Sequence, residues 1–421
     1  MKLLRRIEKK LKSNYKTASI YNKIAILGKK RNFRKNYFNN EIDDKLVLFE
    51  SFMGRKYACS PKAIYEYMLS DERFKDYKFV WAFKKPDDKK NNFFDERTTL
   101  IKYNRDKYFE VISKAKYWIT NSRIPETIIK KDEQIYVQCW HGTPLKRLGY
   151  DIKVKGKNAE SSNRRVRKQY RKDASRYTYM ISPSSFCSEK FISAFNLKGL
   201  GKENIIIEKG YPRNDFLFNY KKEDIKRIKE KLNIPKNKKI ILYAPTWREN
   251  QHELNKGYTY NLAIDFDNLK KQIGDEYVVL FRPHYFVANS FDFEKYKGFI
   301  FNVANHEDIN ELYIIADLLI TDYSSVFFDY ANLGRPMIFY MYDLEEYKNE
   351  LRDFYIDLKE LPGPITQNEK DLIKEIKNCE KNKEKYATKY KKFNKKFNYL
   401  DDGKSTSRVV DTIFFNQREV K

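Results

Sequence analysis

Residues 311–340, ELYIIADLLITDYSSVFFDYANLGRPMIFY, pass through a helical pattern, an apolar run, a polar turn, a second helical pattern and a second apolar run. Leu318 to Thr321 is a short apolar run suited to a strand buried in a parallel sheet. The same alternation recurs along the chain. Candidate strands are Leu46 to Phe49, Phe79 to Phe83, Tyr117 to Thr120, Ile135 to Cys139, Tyr179 to Ser182, Ile240 to Ala244, Val278 to Phe281, Phe299 to Val303, Leu318 to Thr321 and Met337 to Tyr340. Intervening segments such as Pro61 to Ser70 and Asn305 to Ala316 read as helices. Strands that alternate with helices predict the α/β class, with parallel sheets covered by helices on both faces.

At 421 residues the chain exceeds what one core usually supports, so two such units are expected. The basic, proline-interrupted stretch from Asn219 to Lys239 is the expected boundary, and residues 367–397 read as one long surface helix with no chemistry of its own. The organisation expected is a basic segment over 1–45, α/β domains over 46–225 and 226–396, and a tail over 397–421 that packs back. In open parallel sheets, ligands bind outside the carboxyl ends of the strands. Two such units facing each other would therefore place the site in a cleft.

The formal net charge is +27, and it is clustered. The first 40 residues hold 13 Lys or Arg against Glu8, and residues 153–176 hold 10 against Glu160 and Asp173. Such clusters imply an anionic partner: a lipid surface, a phosphate polymer or a nucleic acid. Leu3, Leu4, Ile7, Leu11 and Tyr15 recur at helical spacing with Lys2, Arg5, Arg6, Lys9, Lys10 and Lys12 between them. That is the layout of a helix lying in an anionic lipid interface; a helix packed on the protein and a basic arm are the alternatives. No window approaches the ~18 apolar residues of a membrane span, and the N-terminus lacks the apolar core of a signal peptide. The four cysteines lie far apart, which fits a reducing cytoplasm and indicates neither a zinc site nor a disulfide framework.

Chemistry concentrates where apolar runs end. Asp322, Tyr323, Ser324 and Ser325 follow the strand Leu318 to Thr321, so two hydroxyls open the next helix at its positive end. This is a phosphate-binding arrangement, although serine is also a plain N-cap residue. Four further segments end a strand in unusual polar groups: CWHGTPLKR (Cys139 to Arg147), GYPRND (Gly210 to Asp215), LYAPTWRE (Leu242 to Glu249) and LFRPHY (Leu280 to Tyr285). His141 follows the strand IYVQCW and precedes Gly142, Thr143 and Pro144, so a tight turn should expose its imidazole. An unperturbed pKa of about 6.5 suits a general base at neutral pH. Any one histidine can be a core residue, but three of the four in the chain, His141, His284 and His306, lie in these segments. The fourth, His252, lies in the polar segment ENQHELNKG and reads as solvent-exposed.

Together with NHEDINELY and TDYSSVFFDYANLGRP, these segments, in this order and spacing from about Leu46 to Tyr347, resemble the CDP-glycerol glycerophosphotransferase family. Its members prime and polymerise wall teichoic acid in Gram-positive bacteria. The resemblance implies a GT-B arrangement of two Rossmann-like domains, the first for the acceptor and the second for a CDP-polyol. It implies attack of an acceptor hydroxyl on the β-phosphorus of CDP-glycerol with release of CMP, His141 being the base. The acceptor would be a lipid-linked saccharide or polyol phosphate, and the protein would sit peripherally on the cytoplasmic face of the membrane.

Phosphoryl transfer depends on positioning and charge stabilisation. Arg282, His284, Ser324, Ser325 and Asp322 are candidates for the donor side, with His284 also a catalytic candidate. Arg213 and Arg248 come second, each with a structural salt bridge as the alternative, and His306 could touch the cytidine or ribose. Gly142, Thr143, Lys146 and Arg147 would lie on the acceptor side. Asp329 reads as a helix-surface acid, and Glu307 and Asp308 as complements to a helix dipole.

Other motifs fail. Asp265-Phe266-Asp267 has DxD spacing with no companion signature, so it reads as a surface acid pair and no bound metal or cofactor is expected. Gly199-Leu200-Gly201 lacks the third glycine of a dinucleotide fingerprint, and there is no phosphate-binding loop of the ATPase type. Transfer from CDP-ribitol, or a GT-B sugar transferase, are the alternative enzymes. A single-strand nucleic-acid binder using the 153–176 cluster with Tyr170, Tyr177 and Tyr179 would leave the histidine segments unexplained, so no nucleic-acid partner is expected.

Overall fold

The computed structural model describes residues 15–89, 94–153, 163–246, 252–253, 257–258, 263–283, 291–347 and 354–415. His284, Arg248 and the apolar positions Leu3, Leu4, Ile7 and Leu11 lie outside them. The strands are β1 (Asp43–Glu50), β2 (Lys78–Phe83), β3 (Thr98–Lys102), β4 (Ala115–Thr120), β5 (Ile135–Gln138), β6 (Tyr179–Ser182), β7 (Ile206–Glu208), β8 (Lys239–Ala244), β9 (His252–Glu253), β10 (Gly257–Tyr258), β11 (Tyr277–Phe281), β12 (Ile300–Asn302), β13 (Leu318–Thr321), β14 (Met337–Tyr340) and β15 (Ile365–Thr366). Each apolar run expected to be a strand is one, and helices fill most of the gaps between them. The α/β class with two parallel sheets is therefore the observed one.

The chain divides into two compact units, one of residues 1–56, 68–139 and 176–179, the other of 57–67, 140–175 and 180–421. In the first, strands run in the order β3-β2-β1-β4-β5, all parallel. Val47, Phe49, Trp81, Phe83, Trp118 and Val137 are fully buried there. Phe49 and Trp81 stack at 5.4 Å, and Trp81 and Phe83 at 5.5 Å. A sheet buried on both faces needs apolar residues at successive positions, which is why these strands read as continuous runs.

The second unit holds the parallel pair β6 and β7 and a parallel sheet in the order β12-β11-β8-β13-β14-β15. The path leaves β8 toward β11 and β12, then returns to β13 on its other side. That reversal makes a topological switch point between β8 and β13, where Ala244 pairs with Thr321. Chains diverge from the carboxyl ends of such neighbours and leave a crevice there. One face of this sheet packs in a core with Leu242, Leu280, Leu319, Phe327 and Phe339, the other with Ile241, Phe281, Ile320 and Phe266.

Two local expectations change. The long helix over 367–397 is two helices, Glu369–Lys377 and Cys379–Phe397, which meet at Asn378. The Asn378 side-chain amide donates back to the Lys374 carbonyl at 2.9 Å, the local competition by which asparagine interrupts helices. The pair Asp265 and Asp267 is at the surface, but Asp265 caps the helix Phe266–Ile273 by accepting from the Asp267 and Asn268 backbone N–H groups.

Candidate active site

The turn after β5 is held in an unusual conformation. Trp140 has φ of +52°, a region that residues with side chains rarely occupy. Its ring stacks on the His141 imidazole, with centroids 4.6 Å apart, and its edge meets Phe191 and Phe195. His141 itself is exposed while Gly142, Thr143 and Pro144 are buried. A half-buried indole therefore carries an exposed imidazole on one face. A Cβ on Gly142 would lie 2.6 Å from Ser325 Oγ and 3.8 Å from Arg213 Nη2. Only glycine lets the histidine turn approach the polar turn after β13 this closely.

Asp322 ends β13 at the switch point. One carboxylate oxygen accepts from the Thr246 backbone N–H at 2.8 Å and from its own neighbour, Tyr323, at 2.6 Å. It fixes the turn that carries Ser324 and Ser325, which are half-buried. Ser325 occupies the N-cap position of the helix Val326–Tyr330 without making a side-chain cap bond.

Behind that helix start lies a buried ionic network. Arg213 Nη2 donates to both oxygens of Asp329 at 2.9 and 2.8 Å, and Nη1 lies 3.5 Å from Cys59 Sγ. Asn214 Nδ2 bridges Asp329 Oδ1 at 3.2 Å and Asp401 Oδ2 at 2.6 Å, and Asn332 Nδ2 donates to Asp401 as well. Burial raises the Asp401 carboxyl to about 7, against the hydrogen bonds from Asn214 and the Tyr211 N–H. Asp329 is thus no helix-surface acid: it is 6% exposed and is the counter-ion of Arg213. For Arg213 the structural salt bridge is realised. It still lies beside Gly142, so the pair anchors the helix start against the histidine turn.

Arg282 and His306 are also committed to the scaffold. The Arg282 guanidinium donates to the Val303 carbonyl at 2.8 Å and to the His306 carbonyl at 3.2 Å, and burial lowers its pKa. His306 Nε2 is 2.7 Å from Glu311 Oε2. Burial opposes ionisation of Glu311, but the His306 hydrogen bond and the charges of His306, Lys62 and Arg227 hold its carboxyl at about 2. Glu307 accepts from the Tyr57 backbone N–H at 2.8 Å; Asp308 pairs with Lys62 at 3.0 Å and caps the helix Ile309–Ile315. Lys146 Nζ donates to Tyr347 Oη at 2.8 Å, and the Arg147 guanidinium sits 5.3 Å above the Tyr355 ring. Both cations are held by aromatic residues of the 347–355 region.

The structure thus joins Gly142, Arg213 and Ser325 directly, fixes Asp322 in the turn before Ser325, and ties Arg282 and His306 to the chain around Val303 and Glu311. Asn214, Glu311 and Asn332 lie within the quoted segments but carry no expected role there, and Asp401 lies outside them; they are ordinary polar residues until the chain folds. Among the described residues no cluster of three His, Cys, Asp or Glu could hold a metal, and no helix is long and apolar enough to cross a membrane.

The sequence pattern of the CDP-glycerol:poly(glycerophosphate) glycerophosphotransferases matches residues 32–415. The chain belongs to this family. It is 43% identical over 379 residues, 88% of its length, to a teichoic acid poly(glycerol phosphate) polymerase of Bacillus subtilis, and covers 48% of that protein. A second such polymerase, from Staphylococcus epidermidis, is 39% identical over 94% of the chain and is covered over 55%. The chain therefore spans about half the length of these two relatives. A solved structure of the wall teichoic acid polymerase TagF, a histidine-to-asparagine variant soaked with CDPG, superposes with a TM-score of 0.84 at 39% identity, covering 92% of this chain and 93% of that one. The family's fold is thus the fold of this chain.

Proposed function

We propose that the protein transfers glycerol phosphate from CDP-glycerol to a hydroxyl of a lipid-linked acceptor, with release of CMP, in teichoic acid synthesis. Residues 46–225 would supply the acceptor side and 226–396 the nucleotide side. The observation that carries this reading is the exposed His141, held by the Trp140 ring and set by Gly142 against Ser325 at the start of a helix. The family membership and the names of its relatives support the same chemistry.

In the reaction, His141 takes the proton of the acceptor hydroxyl. The oxygen attacks the β-phosphorus, a new P–O bond forms, and the bond to the CMP oxygen breaks. Ser324 and Ser325 would donate to phosphate oxygens, where fixed donors stabilise charge that grows in the transition state. Asp322 and the Arg213–Asp329 pair hold those donors in place. His284 and Arg248 remain donor-side candidates, and Thr143, Lys146 and Arg147 acceptor-side ones.

The protein would reach its acceptor as a peripheral protein on the cytoplasmic membrane face. In the helix Tyr15–Tyr37, Ile24 and Leu27 are 64% and 65% exposed, one turn apart, among Lys23, Lys29, Lys30 and Arg31. Exposed apolar side chains amid cations suit an anionic lipid interface. CMP release with CDP-glycerol or CDP-ribitol, with and without a lipid-linked acceptor, tests the reading. Acceptor-dependent turnover of CDP-glycerol is expected; turnover of CDP-ribitol alone, or of neither, would overturn it.

A further inference from the structure

The helix Cys379–Phe397 carries eight lysines against Glu380 and Glu384. Its C-terminal half buries Phe393 and Phe397 in the core. Its N-terminal end is tied to the sheet at Cys379, whose Sγ lies 3.4 Å from Tyr277 Oη of β11. From there on, Asn382, Tyr386, Ala387 and Tyr390 recur at three- and four-residue spacing, so one helix face lines a cavity of about 440 Å³. The opposite wall is Pro336, Met337 and the run Pro362 to Pro364. That wall is set close against β14, because a Cβ on Gly363 would lie 2.2 Å from the Met337 carbonyl oxygen. The volume falls in the range of small-molecule sites, roughly 300–1,000 Å³.

The polar groups around this cavity are already engaged within the protein. Tyr390 Oη donates to the Arg335 carbonyl at 3.0 Å, Asn382 Nδ2 to Glu375 at 2.6 Å and Asn394 Nδ2 to the Ala331 carbonyl at 2.9 Å. The Arg335 guanidinium donates to the carbonyls of Tyr313, Ile314 and Ala316. A sugar or nucleotide would find few donors or acceptors to satisfy it here, whereas proline, methionine and tyrosine surfaces suit hydrocarbon. Two cations remain. Lys383 and Lys391 line the cavity, are exposed, and form no ion pair among the described residues. They lie two helical turns, about 12 Å, apart on the same face.

We propose that this cavity binds the hydrocarbon chain of an anionic amphiphile, whose head group Lys383 and Lys391 hold at the mouth. Apolar burial supplies the affinity, and the two ammonium groups select a negative head. Long lysine stems reach such a position while their charges stay in water.

Titration of the full chain with cis-parinaric acid, followed by its fluorescence, tests this. One saturable site per chain is expected. Lysophosphatidic acid should displace the probe, and inorganic phosphate should not. Ala387→Trp, at an exposed helix position that lines the cavity, should weaken binding at least ~tenfold with unchanged circular dichroism. The double variant Lys383→Ala with Lys391→Ala should weaken it several-fold at low salt and remove most of its salt dependence, since exposed charges are screened. Probe binding that Ala387→Trp leaves intact, displacement by phosphate alone, or no saturable binding would each overturn the proposal. Should Ala387→Trp fail to fold, the double lysine variant decides: wild-type affinity and salt dependence in it would overturn the proposal.

Discussion

His141 and Asp329 show how differently single residues serve one site. The imidazole is exposed and stacks on Trp140, so an acceptor can reach it from solvent. His141→Ala should lower kcat by about 10²- to 10⁴-fold, the usual worth of a general base, with CDP-glycerol affinity by calorimetry and thermal stability unchanged. Near-normal turnover would remove His141 from the chemistry. Asp329 is the reverse case, a buried carboxylate whose loss leaves the Arg213 charge uncompensated in the interior. Asp329→Asn should therefore destabilise the protein by about 3–5 kcal/mol in urea unfolding. A change below ~1 kcal/mol would mean that Arg213 finds another partner.

At the scale of elements, the site is made by the turn after β5 meeting the helix start after β13. The contact has no slack: the missing Gly142 side chain would fall 2.6 Å from Ser325 Oγ. Gly142→Ala must turn the Ser325 hydroxyl away or push the two turns apart, and misplacement on the order of 1 Å costs roughly 10²-fold in rate. We expect kcat/KM to fall by about that factor while the melting temperature changes little, because the turns lie beyond the carboxyl ends of the strands. A variant with parental kinetics would show that this contact does not set the geometry of transfer.

Across the whole molecule, each unit buries a carboxyl held near neutrality. Burial raises Glu50 from 4.5 to about 7 despite hydrogen bonds from Tyr108 and Thr120, and raises Asp401 from 3.8 to about 7. Between the unfolded and folded values the native state holds a proton that the unfolded chain has released. Their stabilisation is therefore full below about pH 4 and is lost as pH rises to about 7, by up to about 1.4 kcal/mol per pH unit for each group. Glu50→Gln and Asp401→Asn should each flatten the fall in urea stability between pH 5 and 7; a slope equal to the parent's would show that the carboxyl is already ionised. The N-terminal charge acts at the same scale. Removing residues 1–40 should reduce sedimentation with anionic vesicles and activity on lipid-linked acceptor, and leave use of a soluble acceptor analogue nearly intact. Undiminished sedimentation would shift the anchor to the basic stretch 153–176.

The sequence by itself determined the parallel α/β class, the core strands and the turns on which His141, Asp322 and Ser325 stand. These are local properties: a strand buried on both faces must be continuously apolar, and a polar turn must follow where it emerges. Strands β3, β7, β9, β10 and β15 escaped notice because TTLIK alternates in burial and the other four are too short to show a period. Only the tertiary structure decided the partners. Arg213 and Asp329 are separated by 116 positions and Asn214 and Asp401 by 187, so nothing in their neighbourhoods marks them as pairs. Whether an arginine faces a ligand, as expected for Arg282, or spends its donors on the Val303 and His306 carbonyls depends on which backbone groups the fold leaves unsatisfied beside it.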